Sequence, residues 1–198
     1  RAAAAALIDR LYGERLLLHG PPEERAAAGA PHRLEVSGDD PLRQAVQAAG
    51  AVVAAGPTLR VLCQQRLDLL QALRFGRERL WGEEPALWVS SAALGRGYVS
   101  PVLLPGGAPC LRCLFTSFQR LSPLPEIYDE LQAHGRRGGA LPALPFPAPA
   151  TAMLAQLVRW KQDLLAAPRL SPALFRLHVL EVDTLTVESH ALRLDPEC

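Results

Sequence analysis

The chain has 198 residues, of which 49% are hydrophobic and 21% charged, enough apolar material for one substantial globular domain. Its formal net charge of +1 gives no electrostatic reason to expect a nucleic-acid or anionic-membrane partner. The long uncharged stretch Gly138–Leu157 is interrupted by prolines and cannot form a membrane-spanning helix, and no signal or transit segment is recognisable. We therefore expect a cytoplasmic protein that binds neither nucleic acid nor membranes.

The first half of the chain predicts strands that alternate with helices. In chain order the predicted elements are a helix running into a short strand at Ala2–Leu18, a strand at His32–Val36, a helix at Pro41–Ala49, a buried strand at Ala51–Ala55, an amphipathic helix at Leu59–Arg79, and strands at Pro85–Ser90 and Tyr98–Leu104. Asp39 and Asp40 are interpreted as N-cap residues, and Pro101 places the last strand at a sheet edge or a bulge. This alternation favours an α/β fold with a mixed, mainly parallel sheet flanked by helices.

The second half of the chain has a different pattern. Its predicted elements are a helix at Leu121–Gly135, a Gly/Pro-rich loop at Gly138–Ala150, a helix at Thr151–Leu165 capped by its threonine, and a two-stranded meander at Leu177–Val182 and Thr186–Leu194. We divide the chain into an N-terminal helix, strand and loop at residues 1–31 and one domain at residues 32–198. Within that domain, residues 105–198 carry a cysteine pair, the crossover loop and the meander.

Cys110-Leu-Arg-Cys113 is the strongest chemical signal in the sequence. Two residues of spacing let both thiolates reach one metal ion, so the pair can supply half of a tetrahedral zinc site. Cys198 is the candidate third ligand, because Leu194–Cys198 has the form of a second C-x-x-C whose last cysteine is expected beyond this sequence. A closed four-thiolate zinc site stabilises a fold and leaves no open position for catalysis. The alternatives are reduced structural thiols at the pair and a surface thiol at Cys198.

Other reactive residue types have structural explanations in the sequence pattern. Cys63 lies among apolar residues, where a small buried side chain is a better interpretation than a nucleophile. His178 and His190 lie in apolar strand patterns and are expected to be hydrogen-bonded structural histidines, and Asp183 is expected to be a turn residue. The pair Arg136–Arg137 could bind a phosphate or an acidic peptide, although a solvated loop is the simpler interpretation. We therefore predict no catalytic and no cofactor-binding residue in this chain.

Several stretches together resemble the ThiF/MoeB-like superfamily, the fold of ubiquitin-activating-type adenylating enzymes. The stretches that carry the resemblance are Ala51–Ala55 with the Leu59–Arg79 helix, Pro85–Val89, Gly97–Gly106, Pro109–Leu114 and the Pro196-Glu-Cys198 ending. The resemblance implies a degenerate Rossmann-type domain in which two C-x-x-C pairs bind a structural Zn²⁺, here through Cys110, Cys113 and Cys198. It also implies that the Pro-rich crossover segment Leu141–Pro149 lies near the active face, where it could contact a partner. Dimerisation is common in the superfamily, so a homodimer is possible.

Adenylating members of the superfamily bind ATP through a Gly-rich loop between a strand and a helix, and nothing before Ala51 spells that loop. A degenerate domain of this kind is similar to the ThiF-like partner protein of azoline-forming (thiazole/oxazole-modified peptide) cyclodehydratases. That resemblance implies that the chain binds the leader of a ribosomally made precursor peptide and presents it to a YcaO-type protein, which uses the ATP. The alternative is an adenylating enzyme of the ThiF/MoeB type that acts on a peptide or carrier-protein C-terminus, with its ATP loop outside this fragment.

Overall fold

A central sheet of six strands, flanked by helices, makes up the part of the chain that the structure describes. The computed structural model describes residues 30–198 except positions 54, 81, 94, 106, 108, 140, 196 and 197, so the elements predicted at Ala2–Leu18 lie outside the described residues. The strands are β1 (Arg33–Gly38), β2 (Thr58–Gln64), β3 (Ala86–Ala93), β4 (Arg96–Val99), β5 (Arg176–Glu181) and β6 (Thr186–Ala191). The helices are α1 (Leu42–Ala49), α2 (Leu69–Leu80), α3 (Leu111–Leu121), α4 (Glu126–Arg136) and α5 (Ala148–Ala166), with a 3-10 turn at Pro172–Phe175 before β5. None of these helices combines the length and the apolar character that crossing a membrane requires.

The strands lie in the sheet in their chain order, from β1 at one edge to β6 at the other. The first three strands are parallel, because α1 and α2 each return the chain to the end of the sheet at which the preceding strand began. The other three pairings, β3 with β4, β4 with β5 and β5 with β6, are antiparallel. The mixed α/β class is thus confirmed, whereas the expectation of a mainly parallel sheet is wrong for the part of the chain that the structure describes.

Apolar side chains on both faces of the sheet form two core layers. On β2, Leu59, Val61 and Cys63 belong to the layer that is covered by α1 and α5. Leu62, between them, belongs to the opposite layer, which is covered by α2 and α3. A strand that is buried on both faces contains nearly continuous apolar residues and loses the polar–apolar alternation that marks a half-exposed strand.

The continuous apolar character of β2 explains the largest error of the sequence prediction. The single helix expected at Leu59–Arg79 is in fact strand β2, a short connection and helix α2. The strand expected at Ala51–Ala55 is also wrong, because the described positions 51–53 and 55 have no strand geometry and the side chain of Val52 is fully exposed. The strand that precedes α2 is therefore β2, at Thr58–Gln64, and not the stretch Ala51–Ala55.

Prolines account for the differences in the second half of the chain. The helix expected at Leu121–Gly135 begins only at Glu126, because Ser122–Pro125 separates it from α3, which the sequence did not predict. The strand expected at Tyr98–Leu104 ends at Val99, and it is paired on both sides instead of lying at an edge. Helix α5 and the β5–β6 meander confirm the corresponding predictions, although α5 begins at Ala148 and Thr151 lies inside it. The division of the chain at residue 31 stays a prediction.

Lys161 of α5 joins the helix to the sheet through an arrangement that the sequence analysis missed. Its side chain is fully buried, and Nζ donates hydrogen bonds to the backbone carbonyls of Ser100 (2.8 Å), Arg176 (2.8 Å) and Leu174 (3.3 Å). The ammonium group has three donors, and each finds an acceptor. A signal was present in the sequence, because Lys161 is the only lysine of the chain and the positions at helical spacing from it, Leu157, Val158, Leu164 and Leu165, are all apolar.

Candidate metal centre and the carboxyl edge of the sheet

Three of the four cysteines meet at the start of α3. The Sγ atom of Cys110 lies 3.9 Å from that of Cys113 and 3.4 Å from that of Cys198, and all three sulfur atoms lie within 4.8 Å of one another. All the cysteines are free thiols. Cys110 and Cys113 are buried and Cys198 is exposed, so the cluster opens to the surface on the side of Cys198. The structure therefore brings together the three residues that the sequence singled out.

Helix α3 begins at the pair, and the pKa of the Cys110 thiol is lowered there. Cys110 is the N-cap residue of α3 and has extended backbone angles (φ −98°, ψ 179°). Burial alone would raise its pKa, but hydrogen bonds from the N–H groups of Cys113 and Arg112 and from the neighbouring thiols outweigh burial and lower the pKa. Burial and the two nearby thiols raise the pKa of Cys198 to about 12. The helix start thus favours a thiolate at Cys110.

Cys198 reaches the pair because the end of the chain is held against α3. The carboxylate of Asp195, which is only 7% exposed, accepts a 3.3 Å hydrogen bond from the guanidinium group of Arg120 near the end of α3. The N–H of Cys198 donates to the Asp195 carbonyl at 3.0 Å. Ion pair and turn together return the chain to the helix that carries Cys113.

The spacing of the three sulfur atoms fits a tetrahedral zinc ion. With zinc–sulfur bonds of about 2.3 Å, neighbouring thiolates of a tetrahedral site lie about 3.8 Å apart. The sulfur–sulfur distances of 3.4 and 3.9 Å from Cys110 bracket that value, and the third pair also lies within 4.8 Å. Three soft donors without a disulfide are the chemistry that zinc prefers. A fourth donor does not occur among the described His, Cys, Asp and Glu residues around this cluster.

The remaining candidate residues lie away from the cluster. Cys63 is buried in β2, and burial raises its pKa to about 12, so the buried apolar role is confirmed and a thiolate nucleophile is disfavoured. His178 is buried beside Trp160, with ring centroids 5.3 Å apart, but its Nδ1 has no hydrogen-bond partner within the described residues. His190 is exposed on β6 and lies 3.5 Å from Glu188, so its expected place in an apolar environment is wrong.

The candidate residues in turns and loops lie at or near the surface of the protein. Asp183 lies in the exposed turn between β5 and β6, as the turn interpretation predicts. The pair Arg136–Arg137 is exposed where α4 ends. Within the segment Leu141–Pro149, Leu141 lines a cavity and Phe146 packs against the core layer of α5.

Asp39 has a role that the sequence analysis assigned wrongly. Neither Asp39 nor Asp40 caps α1, whose N-cap residue is Pro41 and has no side-chain cap. Asp39 instead crosses to the end of the neighbouring strand, where its carboxylate accepts hydrogen bonds from the N–H groups of Gln65 (3.1 Å) and Arg66 (3.2 Å) and from the Arg66 guanidinium group (3.2 Å). These donors outweigh burial and hold the pKa of Asp39 below its ordinary value.

A close approach of the two parallel strands makes this crossing possible. Gly38, the last residue of β1, has φ +107°, and a Cβ atom there would lie 1.8 Å from the carbonyl oxygen of Cys63. Next to the crossing lies a cavity of about 150 Å³ between the start of α2 and the end of α4, lined by Asp39, Arg66, Asp68, His134 and Leu141, among others. Cavities at the carboxyl ends of parallel strands are the usual ligand positions of α/β folds.

The sequence matches no protein-family model, and no curated protein matches it significantly. Solved structures do share the fold. A heterocyclase in complex with substrate and cofactor is similar over 100% of this chain with a TM-score of 0.62 and 20% identity. The heterocyclase TruD is similar over 88% (TM-score 0.60, 20% identity), and the E. coli microcin synthetase McbBCD complex contains a chain similar over 98% (TM-score 0.62, 14% identity).

These neighbours differ in how much of their length the similarity covers. The chain spans 27% and 28% of the two heterocyclase chains, but 78% of the microcin synthetase chain. At such low identity the likeness establishes the fold alone. The fold described above therefore occurs both as a minor part of large heterocyclase chains and as most of one chain in a synthetase complex.

Proposed function

We propose that this chain is the ThiF-like, non-catalytic component of a cyclodehydratase that modifies ribosomally made peptides. In this role it binds the leader of the precursor peptide and presents it to a YcaO-type protein, which uses ATP to form the azoline ring. The observation that carries the proposal is the similarity over 98–100% of the chain to parts of a heterocyclase and of a microcin synthetase. The chemistry at the carboxyl edge of the sheet agrees with it, because Asp39 and Asp40 lie where an adenylating relative would need phosphate-binding groups.

Zinc is the second part of the proposal. Cys110, Cys113 and Cys198 would supply three thiolate donors, with the fourth donor coming from outside the described residues. Bound zinc would tie the end of the chain to the start of α3, in a closed structural site that activates no water. The sulfur–sulfur distances of 3.4 and 3.9 Å support this assignment.

Binding of the leader peptide tests the proposed function in a direct way. A fluorescently labelled leader of the precursor peptide made by the same source is titrated with the purified chain, and its fluorescence polarisation is recorded. The proposal expects saturable binding that unlabelled leader reverses and a scrambled leader does not. Binding of the scrambled leader with equal affinity would contradict specific leader recognition by this chain.

The alternative, an adenylating enzyme, makes a different demand. Such an enzyme exchanges pyrophosphate with ATP in the presence of its acceptor peptide, whereas the proposed component does not. Phosphate groups at the β1–α1 connection would meet the carboxylates of Asp39 and Asp40, and Pro41 removes a backbone donor at the helix start. Exchange above the background of a heat-denatured sample would therefore reject the non-catalytic assignment, even if the leader binds.

A further inference from the structure

The carboxyl edge of the sheet contains an anion site that the chain fills by itself. Two backbone N–H groups, of Gln65 and Arg66, and the Arg66 guanidinium group converge on the carboxylate of Asp39 at 3.1–3.2 Å. Successive N–H groups of this kind, supplemented by an arginine, form the concave donor sets that bind phosphate in many proteins. Here the anion is a side chain of the neighbouring strand end, attached to the same chain.

The surroundings of this donor set are suited to an anion of phosphate size once the carboxylate is removed. The cavity of about 150 Å³ adjoins Asp39 and Arg66, so shortening Asp39 would join its space to the cavity. The side chain of His134, which also lines the cavity, has a buried Nε2 without a hydrogen-bond partner within the described residues. Asp68 opposes an anion, but its carboxylate already accepts the N–H of Gln71 at 2.8 Å.

ATP does not fit this edge as the wild-type chain presents it. Phosphate oxygens would compete with Asp39 for the same three donors, at a distance where two like charges repel strongly. Asp40, which lies beside it and pairs with Arg43 at 2.9 Å, adds a second negative charge.

We propose that Asp39 acts as an intramolecular anion that blocks a phosphate site formed by Gln65 and Arg66 at the carboxyl end of β2. The blocked site keeps phosphate-bearing molecules from the edge of the sheet where α/β folds usually bind them. This inference does not depend on the proposed function, since it concerns the isolated chain. The alternative is a purely structural role, in which Asp39 only joins the end of β1 to the end of β2 by hydrogen bonds.

Asp39→Ala and Asp40→Ala make a matched pair for the test. Each substitution removes one negative charge from adjacent positions, but only the first vacates the donor set. Asp39→Asn is a second control, because it removes the charge and still fills the space. Binding of inorganic phosphate is measured by isothermal titration calorimetry at constant ionic strength, with chloride as the replaced anion.

We expect Asp39→Ala to bind phosphate with a dissociation constant at least tenfold lower than those of wild type, Asp40→Ala and Asp39→Asn. Equal affinities for Asp39→Ala and Asp40→Ala would overturn the proposal, and so would phosphate binding by the wild-type chain. If Asp39→Ala is poorly folded, Asp39→Ser is measured by thermal unfolding. A rise of its melting temperature in phosphate over chloride, unmatched by Asp40→Ala, would support the proposal, and equal shifts would overturn it.

Discussion

The buried ammonium group of Lys161 gives a sharp test of the fold, and the substitution Lys161→Met isolates it. Methionine replaces the apolar stem of lysine with an unbranched chain of similar size and lacks the terminal ammonium group that supplies the donors. The carbonyls of Ser100 and Arg176 then lose their donor at 2.8 Å. The Leu174 carbonyl loses a donor at 3.3 Å but keeps the N–H of Val102 at 2.8 Å. A substitution at this single position therefore weakens the attachment of α5 both to the end of β4 and to the start of β5.

The size of the effect follows from two opposing contributions. Each buried carbonyl left without a donor costs about 1–3 kcal/mol, so the carbonyls of Ser100 and Arg176 together cost about 2–6 kcal/mol. Removing the ammonium group also removes the cost of its desolvation, which offsets part of that loss. We expect a net decrease of about 1–3 kcal/mol in the free energy of unfolding. That is a large fraction of the stability of an ordinary domain.

Chemical denaturation followed by circular dichroism measures this difference, and Arg159→Met is the matched control. Arg159 lies on the same helix and pairs on the surface with Asp163 at 2.9 Å, so its loss should cost only about 0.3–0.5 kcal/mol. Equal stabilities of Lys161→Met and Arg159→Met would refute a stabilising role for the hydrogen bonds of Lys161 to the Ser100 and Arg176 carbonyls.

The pH dependence provides an independent readout of the same group. Burial lowers the pKa of Lys161 from 10.5 to about 7. Between these values the unfolded chain binds more protons than the folded chain, so the free energy of unfolding should rise with pH in the wild type. The rise should be absent from Lys161→Met, and an equal rise in both proteins would assign it to another group.

Two further predictions concern the cysteine cluster and the buried histidine. Cys113→Ser should lower the zinc content measured by inductively coupled plasma mass spectrometry from about one ion per chain, whereas Cys63→Ser, buried in β2, should retain it; equal contents would refute the thiolate site. Burial, with smaller contributions from Lys161, Arg176 and His190, lowers the pKa of His178 from 6.5 to about 4. The unfolded chain therefore binds more protons in this window, and stability should fall by about 3 kcal/mol as pH drops through it; an equal fall in His178→Phe would contradict this.

The local pattern was sufficient for helix α1, one face of which is exposed. Helix α1 alternates buried Leu42 and Val46 with polar residues, and the sequence predicted it within one residue of the observed end points. Strand β2 failed for the opposite reason. Leu62 on one face and Leu59, Val61 and Cys63 on the other are all buried, and such a run matches the helix and strand templates equally well.

Site residues were likewise predicted where the signal is local in sequence and missed where it depends on contacts between distant residues. Cys110 and Cys113 were recognisable because their spacing is local, and Cys198 because it has the form of the first cysteine of a second such motif. The crossing of Asp39 to Gln65 and Arg66 depends on the parallel pairing of β1 with β2, which the sequence placed incorrectly. Lys161 depends on three carbonyls contributed by distant parts of the chain. No pattern within a short window encodes contacts of that kind.

Reconstituted ring formation is the measurement that tests the central proposal most directly. The purified chain, a YcaO-type protein from the same source, the precursor peptide and ATP are combined, and mass spectrometry records the loss of one water molecule for each ring formed. The account predicts that rings form at a substantial rate only when the chain is present, and that the chain without the YcaO-type protein forms none. Ring formation at the same rate in its absence would contradict the account.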